Sequence, residues 1–364
     1  MIIKEVINIL EELAPLDYAE DFDNVGLLVG RADTEVTGIL VTLDTLEHIV
    51  EEAIEKKCNL IVSFHPIIFG GLKKMTGSNY VERTVMKAIR HDIAIYGMHT
   101  ALDNSNNGVN AKICEVLGIR NTQILIPQKG TLKKLTTYIP KAHADQLRNA
   151  LYAAGGGRIG NYSNCSFSLE GTGSYKAEQG ADPHLGNIGE VHYEQEIQIG
   201  ITYTKAFETK ILDALFGNHP YEEVAYEIQA LQNSSPYIGM GMYGNLEKSL
   251  SEEAFFQLLK EKMHVSCIRH SNLLGKKINK VAVLGGSGSF AISAAKAVKA
   301  DVFVTSDLKY HQFYEGEGKI LLADIGHYET EQFTKDLIVD HLTKKIPNFA
   351  ISLSERKTNP INYF

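Results

Sequence analysis

The chain has 364 residues, 44% of them hydrophobic, and a formal net charge of −8. This length exceeds the usual size of one domain, so we expect two domains with substantial cores. This net negative charge argues against electrostatic binding to nucleic acid or to anionic membranes, and we expect neither as a partner.

The sequence predicts a cytoplasmic protein. It has no run of about 20 apolar residues, and its first stretch, MIIKEVINILEELAP, lacks the basic start and apolar block of a signal peptide. The four cysteines are scattered without C-x-x-C spacing, which is typical of reduced thiols. Any metal would therefore need nitrogen and oxygen ligands.

The first part of the chain alternates strand-like and helix-like segments. Apolar residues recur at helical spacing in residues 3–13, and the strands GILVTLD, NLIVSFH and IAIYGMH are each followed by a helical pattern. Such alternation is typical of a mostly parallel sheet that is covered on both faces. We therefore predict that residues 1–126 form the first lobe of an α/β core.

The pattern changes after Pro127. Residues 127–236 have the order strand, helix, two strands, helix and strand, which is that of a ferredoxin-like α+β domain. The loop NSSPYIGMGMYGN follows and has the composition of a linker. Because α/β alternation then resumes, we predict that residues 127–236 are an inserted domain and that residues 237–364 complete the core.

Several polar residues are expected at the carboxyl ends of the predicted strands, which is where open α/β sheets bind ligands. These residues come from both halves of the core and are Asp44, His65, His99, Asp307 and His327. A single histidine at a strand end is more often structural, but a cluster favours a site.

Two of these histidines are followed, four residues later, by a carboxylate. Asp103 follows His99 across a short turn, and Glu331 follows His327 at the start of a helix, where this spacing places both side chains on one face. The alternative is an ordinary helix surface contact. Together with His65, these residues would suit zinc, manganese, iron, cobalt or nickel, and carboxylates that bridge could hold two ions per chain. Such a pair is typical of hydrolases.

The segment LGGSGSF, with Gly285, Gly286 and Gly288, is a glycine-rich turn between a strand and a helix. Asp307 follows at about the distance of a ribose-binding acid, but the motif is not G-x-G-x-x-G. Its amides can either contact a phosphate or simply allow close packing. Near Asp307, His311 is a candidate general acid or base, with a supporting or surface role as alternatives.

A set of motifs in order resembles the NIF-three-like family, often labelled GTP cyclohydrolase type 2 homologues. The motifs are EDFDNVGLLVG, HPIIFGGLKKM, YGMHTALDNSNNGVN, GGSGSF, TSDLKYH and GHYETEQ, and they span nearly the whole chain. The resemblance implies a two-lobed core with a dinuclear metal site, a toroidal hexamer, and a PII-like or CutA-like insertion. It also matches metal-ligand positions to His65, His99, Asp103, His327 and Glu331.

One departure from the family concerns Phe64. The family's usual stretch has two successive histidines before the proline, whereas this chain has Phe64 and then His65. One metal position therefore loses an imidazole, and we expect the second ion to be bound more weakly.

Two functions follow from the sequence. The first is a metal-dependent hydrolase that acts on a nucleotide or another phosphorylated small molecule, with His311 and Asp307 as candidate catalytic residues. The alternative is a non-catalytic metal-binding or regulatory scaffold whose inserted domain senses a ligand or partner. For either function we expect a homo-oligomer, because the apolar segment SPYIGMGMYG adds to the resemblance.

Overall fold

The chain folds into two units that are not consecutive in sequence. The computed structural model describes residues Met1–Tyr363, and residues 1–127 together with 236–364 form unit 1, whereas residues 128–235 form unit 2. The sequence-based boundaries, 127 and 236, differ from this division by one residue at each end.

The strands and helices are numbered in chain order. The strands are β1 Gly26–Val29, β2 Ile39–Thr42, β3 Leu60–Ser63, β4 Ala94–Gly97, β5 Arg120–Pro127, β6 Leu132–Pro140, β7 Ser166–Lys176, β8 Val191–Thr204, β9 Tyr226–Ala230, β10 Gly239–Leu250, β11 Arg269–His270, β12 Ile278–Ser287, β13 Val302–Ser306, β14 Leu321–Asp324 and β15 Ile351–Leu353. The helices are α1 Ile3–Leu13, α2 Glu47–Glu55, α3 Tyr80–Arg90, α4 His99–Asp103, α5 Val109–Leu117, α6 Ala144–Ala153, α7 Glu208–Asn218, α8 Glu252–Lys262, α9 Ile292–Ala297, α10 His327–Glu331 and α11 Thr334–Lys345.

Unit 1 contains two sheets. The first has the order β1-β4-β3-β2-β15, and all its pairings except β1 with β4 are parallel. The second has the order β11-β14-β13-β12-β10-β5, and only β12-β13 and β13-β14 are parallel. The α/β class is confirmed, but the second sheet is mixed because β11, β10 and β5 add antiparallel neighbours.

The two predicted lobes exchange strands. β5, from the first segment of the chain, pairs with β10 in the second sheet, and β15, from the last segment, pairs with β2 in the first. Local periodicity predicts that a segment is a strand, but its partner depends on which sheet edge is free, so this exchange is not visible in the sequence.

Alternation along each strand divides its side chains between two apolar cores. In β3, Leu60 and Val62 belong to the core that also contains residues of the second sheet, whereas Ile61 packs with α2 and α3 on the other face. Successive strand residues point to opposite faces, so strands that are buried on both sides have continuous apolar sequences.

The segment SPYIGMGMYG is not a linker with an apolar surface. Ile238 and Met242 are only 2% exposed, and β10 lies between β12 and β5 inside the second sheet. Its glycines, which suggested a loop, allow close contact between strands: a Cβ at Gly244 would lie 2.5 Å from the carbonyl oxygen of Arg120.

Unit 2 is a four-stranded antiparallel sheet with two helices. The elements follow the order β6, α6, β7, β8, α7, β9, and the sheet order is β7-β8-β6-β9. This is the ferredoxin-like arrangement that the sequence predicts. Its core contains, among others, Leu135, Leu147, Ile199 and Leu215, all fully buried.

Among residues 1–363, none of the helices combines the length and the apolar character that crossing a membrane requires.

Candidate metal centre

Five polar residues follow the carboxyl ends of strands in unit 1, as the sequence predicts. Asp44 follows β2, His65 follows β3 and His99 follows β4, whereas Asp307 and His327 follow β13 and β14 of the other sheet. The backbone holds His65 close to its strand, because its amide donates to the carbonyl of Leu43 at 2.9 Å. Parallel strands of one sheet end at the same edge, and the edges of the two sheets meet at His65 and His327, whose ring centroids are 5.5 Å apart.

His65, His327 and Glu331 form a group whose potential ligand atoms all lie within 4.8 Å of one another. The Nε2 atoms of His65 and His327 are 3.1 and 3.2 Å from the same Glu331 oxygen, Oε2. Glu331 is 3% exposed and lies one helical turn after His327 in α10. The i,i+4 spacing therefore does place this pair on one face.

The Glu331 oxygen that lies near both histidines, Oε2, makes no hydrogen bond. Although two imidazole nitrogens are close to it, Glu331 Oε2 is buried without a hydrogen-bond partner among the described residues, so neither N–H bond is directed at the oxygen. Buried polar atoms are rarely left unpaired in a stable protein. Two nitrogens and one oxygen around a common point are a donor set that suits a divalent ion.

Each histidine at the site is held by a carboxylate through its other ring nitrogen. His65 Nδ1 is 2.8 Å from Asp44, His327 Nδ1 is 2.6 Å from Asp307, and His99 Nδ1 is 2.8 Å from Asp23. Metal-bound histidines usually have such a partner, which fixes the ring and its tautomer and leaves Nε2 for the ion.

The charges in the site are strongly coupled. Burial opposes protonation of His65, but the carboxylates of Asp44 and Glu331 outweigh it and raise the pKa of His65 to about 10. Burial likewise opposes protonation of His327, and Asp307 and Glu331 raise its pKa to about 10. Burial would raise the pKa of Glu331, yet the two histidines lower it to about 2. The site therefore holds positive charge, as protons or as a metal.

The other two predicted ligands, His99 and Asp103, lie beside this group but outside it. The His99 ring centroid is 5.4 Å from that of His65. Burial, and then the charge of Glu331, raise the pKa of Asp103 well above its usual range. Asp103 Oδ1 is also buried without a hydrogen-bond partner. A second orphaned oxygen fits a second cation position next to the first.

Phe64 is fully buried and belongs to the core between the sheets of unit 1. Its ring centroid is 4.9 Å from that of His65 and 5.7 Å from that of His99. The ring thus continues the inward-facing series of Leu60 and Val62 and borders both imidazoles.

The two candidate catalytic residues have different surroundings. Asp307 has a left-handed backbone (φ 57°) directly after β13, and its carboxylate accepts from the hydroxyl of Ser287 and contacts His327. It therefore positions His327. His311 is exposed in the 3-10 helix Tyr310–Gly316, and its ring contacts those of Tyr310 and Tyr314.

The glycine-rich turn supports the packing interpretation. The amide of Gly285 donates to Asn110 at 3.0 Å, that of Gly286 to Thr330 at 2.9 Å, and that of Gly288 to the carbonyl of Ser306 at 3.5 Å. These amides are already satisfied within the protein and are not directed at a phosphate site.

Asp23 is a site residue that sequence reasoning missed. Its buried carboxylate contacts His99 and also accepts from the amide and hydroxyl of Thr100, at 3.0 and 2.5 Å. Burial opposes ionisation, but His99 and Thr100 lower the pKa of Asp23 to about 2. Asp23 lies at a turn before β1, so no strand-end signal marks it, although it is within the motif EDFDNVGLLVG that carries part of the family resemblance.

Comparisons with known proteins agree over the whole chain. The family model described as Duf34/NIF3 (NGG1p interacting factor 3) matches residues 1–360. A Bacillus subtilis protein named GTP cyclohydrolase 1 type 2 homolog is 37% identical over 366 residues, which cover 99% of this chain and 98% of that protein. The crystal structure of a Bacillus cereus protein related to NIF3 has a TM-score of 0.88 at 34% identity and covers 100% of this chain and 99% of its own. A Staphylococcus aureus crystal structure has a TM-score of 0.77 at 29% identity, with the same coverage.

Proposed function

The chain belongs to the Duf34/NIF3 family, and from this premise and the geometry of the site we propose that it is a metal-dependent hydrolase. One observation carries the proposal: two imidazoles, each anchored by a carboxylate at Nδ1, place Nε2 3.1 and 3.2 Å from one buried oxygen that has no hydrogen bond. This arrangement has the ligands and the supporting contacts of a metal site.

The residues divide into ligands and supports. His65, His327 and Glu331 would hold one divalent ion, and His99 and Asp103 would help to hold a second, with Phe64 weakening that position. Zinc, manganese, iron, cobalt or nickel would each accept these donors. When bound, the ions would polarise a substrate oxygen and lower the pKa of water. Asp44, Asp307 and Asp23 keep the imidazoles oriented.

Two exposed aromatic rings next to the site support a nucleotide as substrate. Phe69 is 53% exposed, and its ring is edge-on to His99 with the centroids 6.1 Å apart. Phe22 is 66% exposed and its ring centroid is 6.5 Å from that of Phe69. Large apolar side chains in such exposed positions can stack on a flat base. His311, on the exposed 3-10 helix, remains a candidate general acid or base.

The second candidate function is a non-catalytic metal-binding or regulatory scaffold whose inserted unit senses a ligand or partner. The burial of Phe64 against His65 and His99 favours it, because the ring takes space that a ligand of a second ion would need. A site limited to one ion would bind metal without the two-ion chemistry of the hydrolase.

An activity screen separates the two functions. The metal-loaded full chain would be tested against nucleotides, phosphoesters and cyclic amides, alongside Glu331→Gln, Phe69→Leu and the remote control His91→Ala. If the protein is a hydrolase, one of these compounds should be turned over, and Glu331→Gln should abolish this activity. Phe69→Leu should weaken it mainly by raising KM, and His91→Ala should leave it unchanged. If the metal-loaded protein shows no turnover above that of Glu331→Gln, the hydrolase proposal is wrong and the scaffold function is favoured.

The assembly proposed on the family resemblance is a homohexamer. Its test is sedimentation of the full chain at micromolar concentration, at which a stable monomer would overturn the proposal.

A further inference from the structure

Unit 2 contains a cavity of about 630 Å³ that no part of the proposed metal site uses. It lies along β7 and is completed by the loop after that strand and by the segment before β9, which includes Tyr221. Cavities of this volume are typical of sites for small molecules rather than for single ions.

Three tyrosine rings contribute to the wall. Tyr138, Tyr175 and Tyr221 line the cavity, and the centroids of Tyr175 and Tyr221 are 5.8 Å apart at an angle of 65°. The hydroxyl of Tyr175 donates to the carbonyl of Leu185 at 2.7 Å, and that of Tyr221 donates to Glu196 at 2.8 Å. Both rings are therefore fixed by their hydroxyl groups.

The ionisable side chains of the wall are carboxylates and tyrosines together with one histidine, His184. The lining contains no lysine or arginine, and its carboxylates are Glu170, Asp182, Glu196, Glu222 and Glu223. Glu170 is paired with Lys141 at 2.7 Å, but the described residues give Glu196 no lysine or arginine partner. A Cβ at Gly173 would overlap the Glu196 carboxylate, so glycine at this position leaves room for it.

The carboxylates of this wall do not form a preassembled metal site. Within the described part of the chain, the one group of three metal-ligating side chains with atoms inside 4.8 Å is in unit 1. Aromatic faces combined with uncompensated carboxylates are instead the features that recognise ammonium and guanidinium groups.

From the cavity volume, the tyrosine faces and the charge of Glu196, we propose that unit 2 binds a small organic cation. Its ammonium or guanidinium group would lie against Tyr175 and Tyr221 and pair with Glu196, and its apolar part would fill the remaining cavity. This site is separate from the proposed hydrolase and does not depend on it.

Calorimetric titration of the full metal-loaded chain tests the site with choline, agmatine and histamine as probes. The matched control is 3,3-dimethylbutan-1-ol, which has the shape of choline without its charge. We expect at least one cation to bind with one site per chain and the neutral analogue to bind at least about tenfold more weakly. Equal binding of choline and its neutral analogue, or no binding of any probe cation at millimolar concentration, would overturn the proposal.

Variants locate the binding in unit 2. Glu196→Gln keeps the shape but removes the charge, and Tyr175→Leu removes the aromatic face; each should weaken cation binding about 2- to 30-fold. Glu178→Gln, an exposed acid outside the wall, should bind like the parent chain. Tyr175→Phe keeps the ring but removes its hydrogen bond to Leu185, and it should weaken binding less than Tyr175→Leu does. If Glu196→Gln and Tyr175→Leu both remain folded and bind the cation like the parent, the cation lies outside this cavity and the proposal is wrong. If zinc alone binds, and Glu196→Gln removes it, the wall recognises a metal and the proposal is wrong.

Discussion

The ring centroids of His65 and His327 lie 5.5 Å apart, although the two residues follow strands of different sheets. Both rings contact Glu331. In addition, His65 contacts Asp44 and His327 contacts Asp307. The ligand group is thus assembled only when both sheets are in place. Metal binding and the folding of unit 1 should therefore be linked.

Asp307→Asn should weaken metal binding about 10- to 100-fold while the fold is kept. The amide cannot hold the His327 Nδ1–H as a carboxylate does, so the ring loses its fixed orientation. Asparagine tolerates the left-handed backbone at this position, so the substitution adds little strain. Metal affinity would be measured by competition with a chelator.

Asp340→Asn is the matched control for this change, because Asp340 is exposed on α11 and is not part of the ligand group. It should retain parental affinity. Ser287→Ala removes only the hydroxyl that donates to Asp307, and its effect should be smaller than that of Asp307→Asn. Parental affinity in Asp307→Asn would mean that this carboxylate does not support a metal ligand.

Replacing residues 128–235 with a short Gly/Ser linker should leave metal binding intact. In the β5–β10 ladder, Pro127 lies opposite Gly239, so the ends of the excised segment are neighbours in unit 1. A few residues can join antiparallel neighbours as a hairpin. Metal content per chain and the thermal midpoint of unit 1 would be compared with those of the full protein. A truncated chain that stays folded but loses its metal would make the insertion part of the site.

Glu82 should make the stability of the protein sensitive to acid. Its carboxylate accepts from the amides of Thr76 and Ser78, at 2.8 and 3.1 Å, and from both of their hydroxyls, and these bonds lower its pKa from 4.5 to about 2. Because the folded pKa is below the unfolded one, the contribution is complete above pH 4.5. It is lost as the pH falls towards 2, because the unfolded chain binds a proton first.

In Glu82→Gln, urea unfolding midpoints should therefore be lower than the parent's at pH 7, and this gap should narrow between pH 5 and pH 3. Glu115→Gln, an exposed acid on α5, serves as the control and should follow the parent at every pH. A constant gap between parent and Glu82→Gln across this range would show that the charge of Glu82 is not involved.

The sequence could predict the strand-end histidines but not all of their partners. Short continuous apolar runs predict β2, β3, β4, β13 and β14, and the rule that open α/β sheets bind ligands at the carboxyl ends of their strands then selects residues such as His65 and His327. The role of Asp23 cannot be predicted in this way, because Asp23 lies at a turn before β1 and contacts His99 only through tertiary packing. The helix that the sequence predicts at His327 is short: α10 ends at Glu331, and a separate helix, α11, begins at Thr334.

Phe64 should limit the amount of metal that the site retains. Its ring is completely buried and borders both His65 and His99, where it cannot donate an electron pair to a cation and keeps the site drier. In Phe64→His, an imidazole would take this place next to the other two. The variant should therefore hold more metal per chain, or hold it longer against a chelator, whereas His65→Ala should hold less.

Elemental analysis after matched dialysis against a chelator measures these differences, with Phe64→Leu as the control for loss of the ring. Leucine at position 64 shortens the apolar side chain without adding a ligand, so it should leave metal content at or below that of the parent, at a cost in stability of about 1 kcal/mol or more. A gain shared by Phe64→Leu and Phe64→His would come from opening space rather than from an added ligand. Unchanged metal content in both Phe64→His and His65→Ala would mean that SFHP only packs the end of β3 and that its histidine binds no ion.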